Sequence, residues 1–138
     1  QSEALIVSAI RERYPTHAIL AEEGGQIEIE GSDASGLLWV IDPLDGTTNY
    51  AHRFPIFSDS MAVRSATELL MGVVYDPLRD ECFPAARGQG AHLNRELIRV
   101  SAIDDLGRGL LATGFPYDRH EAPDNNVAAF SAFTLPPY

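Results

Sequence analysis

Lysine is absent from this 138-residue sequence: all ten basic residues are arginine, and twenty acids oppose them for a formal net charge of -10. No basic stripe exists, which excludes the clustered cations that a nucleic-acid backbone groove needs. Cysteine occurs once, at Cys82, so no internal disulfide can form and nothing asks for an oxidising compartment. Cys82 itself reads as an ordinary strand residue. Long apolar runs are missing too: none approaches the roughly 20 residues of a membrane span, and the first residues lack a basic patch followed by an apolar core. The expectation is a cytoplasmic protein without a membrane partner. What is present is ordinary globular composition, 45% hydrophobic and 22% charged. A chain this long can bury roughly two-thirds of its unfolded surface.

The chain alternates elements without repeats or low-complexity linkers. Leu5, Ile6, Ala9 and Ile10 recur at helical spacing between Glu3 and Arg13, and Tyr14 and Pro15 end that helix. His17 to Glu22 (HAILAE) reads as a short strand delivering Glu22 and Glu23, and Gln26 to Ser35 as a polar flap or hairpin. Leu37 to Ile41 (LLWVI) has the continuous apolar pattern of a strand covered on both faces. Ser58 to Arg64, Leu69 to Tyr75 and Glu81 to Ala86 follow as strands, separated by turns at 76–80 (DPLRD) and 87–90 (RGQG) in the manner of an antiparallel meander. Arg95 to Ser101 is a further edge segment, Leu110 to Gly114 (LLATG) another strand candidate, and Asp124 to Phe133 starts like a capped helix. The sum is α/β, with a mostly antiparallel sheet layered against helices.

Chemistry concentrates in Trp39 to Tyr50, WVIDPLDGTTNY, where an apolar strand runs straight into two carboxylates, a proline and a glycine. Pro43 biases its neighbours away from helix, so Asp42 and Asp45 can face one pocket. Hard cations such as Mg²⁺ take oxygen from one or two carboxylates and from any carbonyl a turn exposes; Leu44 is the natural carbonyl donor. Gly46 permits close backbone approach to a ligand, and Thr47 and Thr48 stand where a short helix begins, with free N–H groups for an anion. Thr47 serves there as a helix cap, as a proton relay, or as both. A metal-holding acid pair beside an anion site is the wiring for a phosphate ester, and Glu22 from the preceding strand is placed to bridge to the metal and orient a water.

These residues resemble a known family. LAEE at 20–23, WVIDPLDGTTN at 39–49, HRFP at 52–55 and ATGFPYD at 112–118 are similar to the inositol monophosphatase family of Mg²⁺-dependent, lithium-sensitive phosphatases, its bacterial members in particular. The resemblance runs over essentially the whole chain. It implies a sugar-phosphatase-like fold, a mostly antiparallel sheet sandwiched by helices. It implies metal ligation by Glu22, Asp42, the Leu44 carbonyl and Asp45, activation of a water by Glu22 with Thr47, and phosphate oxygens held on the Gly46 and Thr47 amides. Glu23 resembles the second acid of the family pair, in an outer or surface role. Family members also carry a further metal-binding aspartate in a Trp-Asp motif and an earlier aspartate partnering the threonine; neither is in this sequence. Residues 1–138 therefore read as a partial phosphatase domain, incomplete at both ends, and the intact family commonly forms homodimers.

The expected reaction is hydrolysis of a small polyol phosphate monoester, myo-inositol monophosphate foremost. Alternatives are a fructose bisphosphatase-like or bisphosphate nucleotidase-like activity, or a non-catalytic divalent-cation-binding fragment. His52 and His92 lack a second histidine at metal spacing and read as structural or surface residues, as do His17 and His120 in loops. Arg53 orders the loop after the motif, Trp39 and Phe54 read as core, and 76–80 as a hairpin corner.

Overall fold

In a computed structural model, which describes residues 2–22, 36–116, 120–121 and 123–134, the first apolar periodicity forms helix α1, Ser2–Arg13. The Tyr14 amide still donates to the Ile10 carbonyl at 2.7 Å, closing the last turn before Pro15, which has no N–H to offer. Strand β1 (Ala18–Ala21) then pairs in parallel with β2 (Leu38–Asp45), Ala18 against Leu38 through Ala21 against Ile41. A parallel pair needs a crossover. Glu23 and the flap expected at Gln26 to Ser35 belong to that connection and lie outside the described residues.

From β2 onward every pairing is antiparallel. Strands β3 (Ser58–Arg64), β4 (Leu69–Asp76), β5 (Glu81–Ala86), β6 (Gly90–Leu93) and β7 (Glu96–Ile98) follow one another in chain order, completing a seven-stranded sheet. A short helix, α2 (Thr47–Ala51), interrupts the path from β2 to β3. The expected mixed architecture with a mostly antiparallel sheet is what forms.

One face of the sheet carries the core. Ile10 of α1 packs with Ile19 and Ile41, and Ile6, Val7, Ala21, Trp39 and Met61 close around them. Ile41 is the most deeply buried, at 2% exposure; complete burial of such a side chain stabilises by roughly 1.5–3 kcal/mol. Side chains alternate across a strand, so Leu20, Val40 and Ala62, one register step away, belong to the other face.

The sequence reading differs from the structure in several places. β6 forms where only a turn ending at Gly90 is expected. It is held by Asn94, in the left-handed region at φ 56°, whose side chain accepts from the Cys82 amide at 2.9 Å while its own amide donates to the Cys82 carbonyl. β7, Glu96–Ile98, is shorter than the edge segment expected at Arg95 to Ser101. Residues 110–114 form no strand: no ladder partner stands beside them among the described residues, and Leu110 is 99% exposed. Phe54, expected in the core, is 56% exposed, because it sits in the loop after α2 on an open cleft of about 440 Å³ with Tyr50 and Leu78.

The chain divides into two compact units after Val100. The second contains a 3-10 turn at Leu106–Arg108, with the Asp105 carboxylate accepting from the Gly107 amide, and helix α3 (Val127–Thr134). α3 starts later than Asp124 because Asn126 adopts φ 64° and turns its side-chain amide to Thr113 and to the Gly114 carbonyl.

Truncating the keystone of the core should be costly. Ile41→Ala is expected to lower unfolding free energy by about 2–5 kcal/mol, whereas Leu69→Ala, at a position 65% exposed, should change it by under about 1 kcal/mol. Urea denaturation followed by fluorescence of the single tryptophan measures both; equal effects would contradict this location of the core.

Candidate functional site

Continuing the β1–β2 register one step past Ala21 and Ile41 brings Glu22 beside Asp42. On the other side of β2 the ladder with β3 slips: Asp42 pairs with Ser60 and Asp45 with Ser58, so Pro43 and Leu44 together oppose Asp59 alone. Pro43 cannot donate to a ladder, which makes it a natural bulge residue. The extra residue has a chemical consequence. In a regular strand, positions three apart point to opposite faces; with the bulge, Asp42 and Asp45 stand opposite Ser60 and Ser58, which share one face. Two acids are thereby returned to the side of the sheet that α1 does not cover.

The turn that follows is tied down locally. Asp42 Oδ1 accepts from the Leu44 amide at 3.0 Å, and Thr47 Oγ1 donates to the Leu44 carbonyl at 2.9 Å. Gly46, not Thr47, is the residue at the helix cap, in the left-handed region at φ 92°. A Cβ there would lie 3.0 Å from the Ile56 carbonyl oxygen and 3.3 Å from Phe57 Cα, so glycine is required by both conformation and space.

Electrostatics mark the same place. The charge of Asp42, and a hydrogen bond shared with it, push the Glu22 carboxyl above its ordinary range; desolvation and the more distant charge of Asp45 add to this. Asp59 on β3 is also raised, first by burial and then by Asp42. Glu22 and Asp42 line a cavity of about 300 Å³ with Leu20, Val40, Ser60 and Ala62. Asp45 lines a neighbouring one of about 270 Å³ with Gly46, Asn49, Ser58 and Asp76. Asp76 is no spare ligand: the Arg79 guanidinium and the Leu78 and Arg79 amides all donate to it, and the Arg79 bond first among them holds its carboxyl below the ordinary range.

The structure thus joins Glu22 to Asp42 and sets Leu44, Gly46 and Thr47 in one turn with Asp45 beside them. Among the described residues no group of three or more acidic, histidine or cysteine side chains stands at metal-holding spacing. The donors that converge are nonetheless all oxygen, and two like charges forced together are what a hard cation between them would relieve. His52 caps α2 and His92 lies on β6. His17, expected as a plain loop residue, accepts a hydrogen bond from Trp39 Nε1 at 3.0 Å. Ser58, Ser60, Asp59 and Asn49 escaped the sequence reading; ladder pairing sets Ser60 against Asp42, and only the bulge, invisible in one dimension, sets Ser58 against Asp45.

Comparison with known proteins shows what the chain is similar to. The model of the inositol monophosphatase family matches residues 1–137. An inositol-1-monophosphatase from Synechocystis is 47% identical over 134 residues, covering 97% of this chain and 46% of that protein. The Nus factor SuhB of Vibrio cholerae is 47% identical over 132 residues, covering 96% of this chain and 48% of that protein. Among solved structures, an inositol monophosphatase from Anabaena superposes with a TM-score of 0.86 at 48% identity, over 96% of this chain and 51% of that one. The chain spans about half the length of the relatives it matches. No helix among the described residues is long and apolar enough to cross a membrane.

Two expectations arise from the turn and the acid pair. Gly46→Ala should destabilise by about 1–3 kcal/mol, from strain at positive φ and the contact with Ile56, read by urea denaturation. For Glu22 the sign follows from its raised folded value: the folded chain holds that proton more tightly than the unfolded one, so stability present at low pH is lost as pH rises through the folded value. In metal-free buffer Glu22→Gln should therefore be more stable than the parent at neutral pH, the two converging as pH falls below the ordinary carboxylate range. A variant less stable at pH 7 would contradict the pairing.

Proposed function

The chain belongs to the inositol monophosphatase family, and from that premise we propose that residues 1–138 are the metal- and phosphate-binding portion of a phosphatase domain. Its reaction is hydrolysis of a small polyol phosphate monoester, with myo-inositol monophosphate the leading candidate. The observation that supports this most directly is the Glu22–Asp42 pair standing next to the turn in which Thr47 is bonded to the Leu44 carbonyl.

In this reading Glu22, Asp42, the Leu44 carbonyl and Asp45 would hold divalent metal, Mg²⁺ being the cation that suits carboxylate and carbonyl oxygen with retained waters. Bound there, the metal supplies charge neutralisation for the phosphate and lowers the pKa of a water. The remaining work belongs to the protein. Glu22, whose carboxyl already sits above its ordinary range, orients the attacking water and takes its proton, with the Thr47 hydroxyl as relay. The Gly46 and Thr47 amides hold phosphate oxygens as charge builds on them. Asp42, pinned through one oxygen by the Leu44 amide, keeps its second oxygen for the cation.

A second reading, a divalent-cation-binding module without turnover, draws support from the same structure: among the described residues no group of three or more metal-holding side chains converges. Phosphate release from inositol 1-phosphate, measured with and without Mg²⁺ and with lithium added, separates the two. Release that needs Mg²⁺ and falls with lithium is the expected result for the phosphatase; cation binding without release gives the second reading. Parallel assays on fructose 1,6-bisphosphate and a 3′,5′-bisphosphate nucleotide rank the ester classes. Asp45→Asn should lower metal-dependent release by at least the roughly 10–100-fold that losing even an outer partner of a metal costs. Unchanged turnover in that variant would sink the assignment.

A further inference from the structure

The return from α2 to β3, residues 52–57, has no regular structure, yet it sets the ceiling over Gly46. Two bonds from one residue shape it. Asn49 Nδ2 donates to the Ile56 carbonyl at 2.8 Å, and the Asn49 carbonyl accepts from the Phe54 amide at 2.8 Å. The Ile56 amide donates back to the Phe54 carbonyl, also at 2.8 Å, so the loop is closed on itself. The Ile56 carbonyl oxygen is the very atom that a Cβ on Gly46 would meet at 3.0 Å. Asn49 therefore fixes the position of the group that confines Gly46, and Gly46 leads directly into Thr47, whose hydroxyl is bonded to Leu44.

We propose that Asn49 is the positioning residue of the cation site: its side-chain amide holds the 52–57 loop over Gly46 and so fixes the Leu44–Thr47 turn that presents the Leu44 carbonyl beside Asp42 and Asp45. The proposal rests on the metal-holding role given above to that turn. The residue type follows from the chemistry. An Ile56 carbonyl demands a donor, which excludes aspartate despite its equal size. Asn49 also lines the cavity that holds Asp45, where a lysine or arginine donor would compete with any cation for the carboxylate. A short neutral donor satisfies both conditions.

The test uses the 138-residue chain and terbium(III), a hard, oxygen-seeking cation, with luminescence sensitised by the single tryptophan, Trp39, which lies on the same strand as Asp42 and Asp45. Affinity is compared for the parent, Asn49→Ala, Asn49→Leu and Asp45→Asn, with amide hydrogen exchange measured on each. Loss of the clamp should weaken terbium binding by about tenfold in both Asn49 variants, on the scale of lost outer partners at metal sites. Exchange should quicken at the Tyr50 and Phe54 amides, which donate to the Gly46 and Asn49 carbonyls, while Met61 and Val73 in β3 and β4 keep the parent rate. A merely structural role would speed all four amides together and leave the affinity of the folded fraction unchanged, and that result overturns the proposal. Parent affinity in the Asn49 variants alongside lost affinity in Asp45→Asn also overturns it, while leaving the cation site standing. Parent affinity in Asp45→Asn removes the site itself, and this proposal with it.

Discussion

Parallel pairing of Ala21 with Ile41 places Glu22 against Asp42, and the rest of the site depends on that juxtaposition. It is unfavourable by itself: two carboxylates brought together repel, and the charge of Asp42 pushes the Glu22 carboxyl above its ordinary range. A chain that carries a net charge of -10 and no lysine has few means of relieving it internally. Two of its arginines are engaged elsewhere, Arg79 with Asp76 and Arg87 with Glu68. Local conflict of this kind, in an otherwise consistent sheet, is the mark of a site shaped for a ligand rather than for stability. The sheet supports it from the other face, where the Ile10–Ile19–Ile41 cluster anchors both strands beneath the acids.

Much of this was legible in one dimension because the signals are local. β3 and β5 are legible at their observed bounds, β5 because the turns at 76–80 and 87–90 bracket it, and the helical spacing of Ile6 and Ile10 gave α1. The motif at 42–47 was legible for a different reason: Pro, Gly and paired acids have few shared structural uses. What stayed hidden is what depends on pairing. β6 exists because Asn94 bonds both the amide and the carbonyl of Cys82, twelve positions earlier. Residues 110–114 have the composition of a strand and no ladder partner among the described residues. Phe54 has the composition of a core residue, yet its place follows from a loop that Asn49 closes. Ser58 meets Asp45 only because a bulge shifts the ladder by one residue after Asp42.

The bulge and the glycine solve one geometric problem together. A strand of regular pitch would send Asp42 and Asp45 to opposite faces. Pro43 and Leu44 opposite Asp59 correct the parity, but the chain must then turn at once into α2 without drawing the Leu44 carbonyl away from the acids. A left-handed residue does this in the least length, and the Ile56 carbonyl pressed against it leaves room for no side chain. Aspartate, proline, aspartate and glycine are thus parts of a single solution, in which replacing any member changes the direction of the others.

Register is the remaining requirement, since a slip of one residue between β1 and β2 would carry Glu22 to the face covered by α1. Apolar residues fill both faces of these two strands: Ile19 and Ile41 belong to the core, while Leu20 and Val40 line the cavity. Hydrophobic burial alone therefore discriminates poorly between registers. A directional contact does better. Trp39 Nε1 donates to His17 Nδ1 across 22 positions of sequence, and Tyr14 stacks on the His17 ring at 4.9 Å. A shifted ladder would leave the indole N–H without this acceptor and separate the rings, a penalty paid at the opposite end of the strands from the acids. The aromatic trio next to the Trp39–Ile19 pair thereby holds Glu22 at Asp42 from a distance, and links the packing at the end of α1 to the chemistry at the mouth of β2.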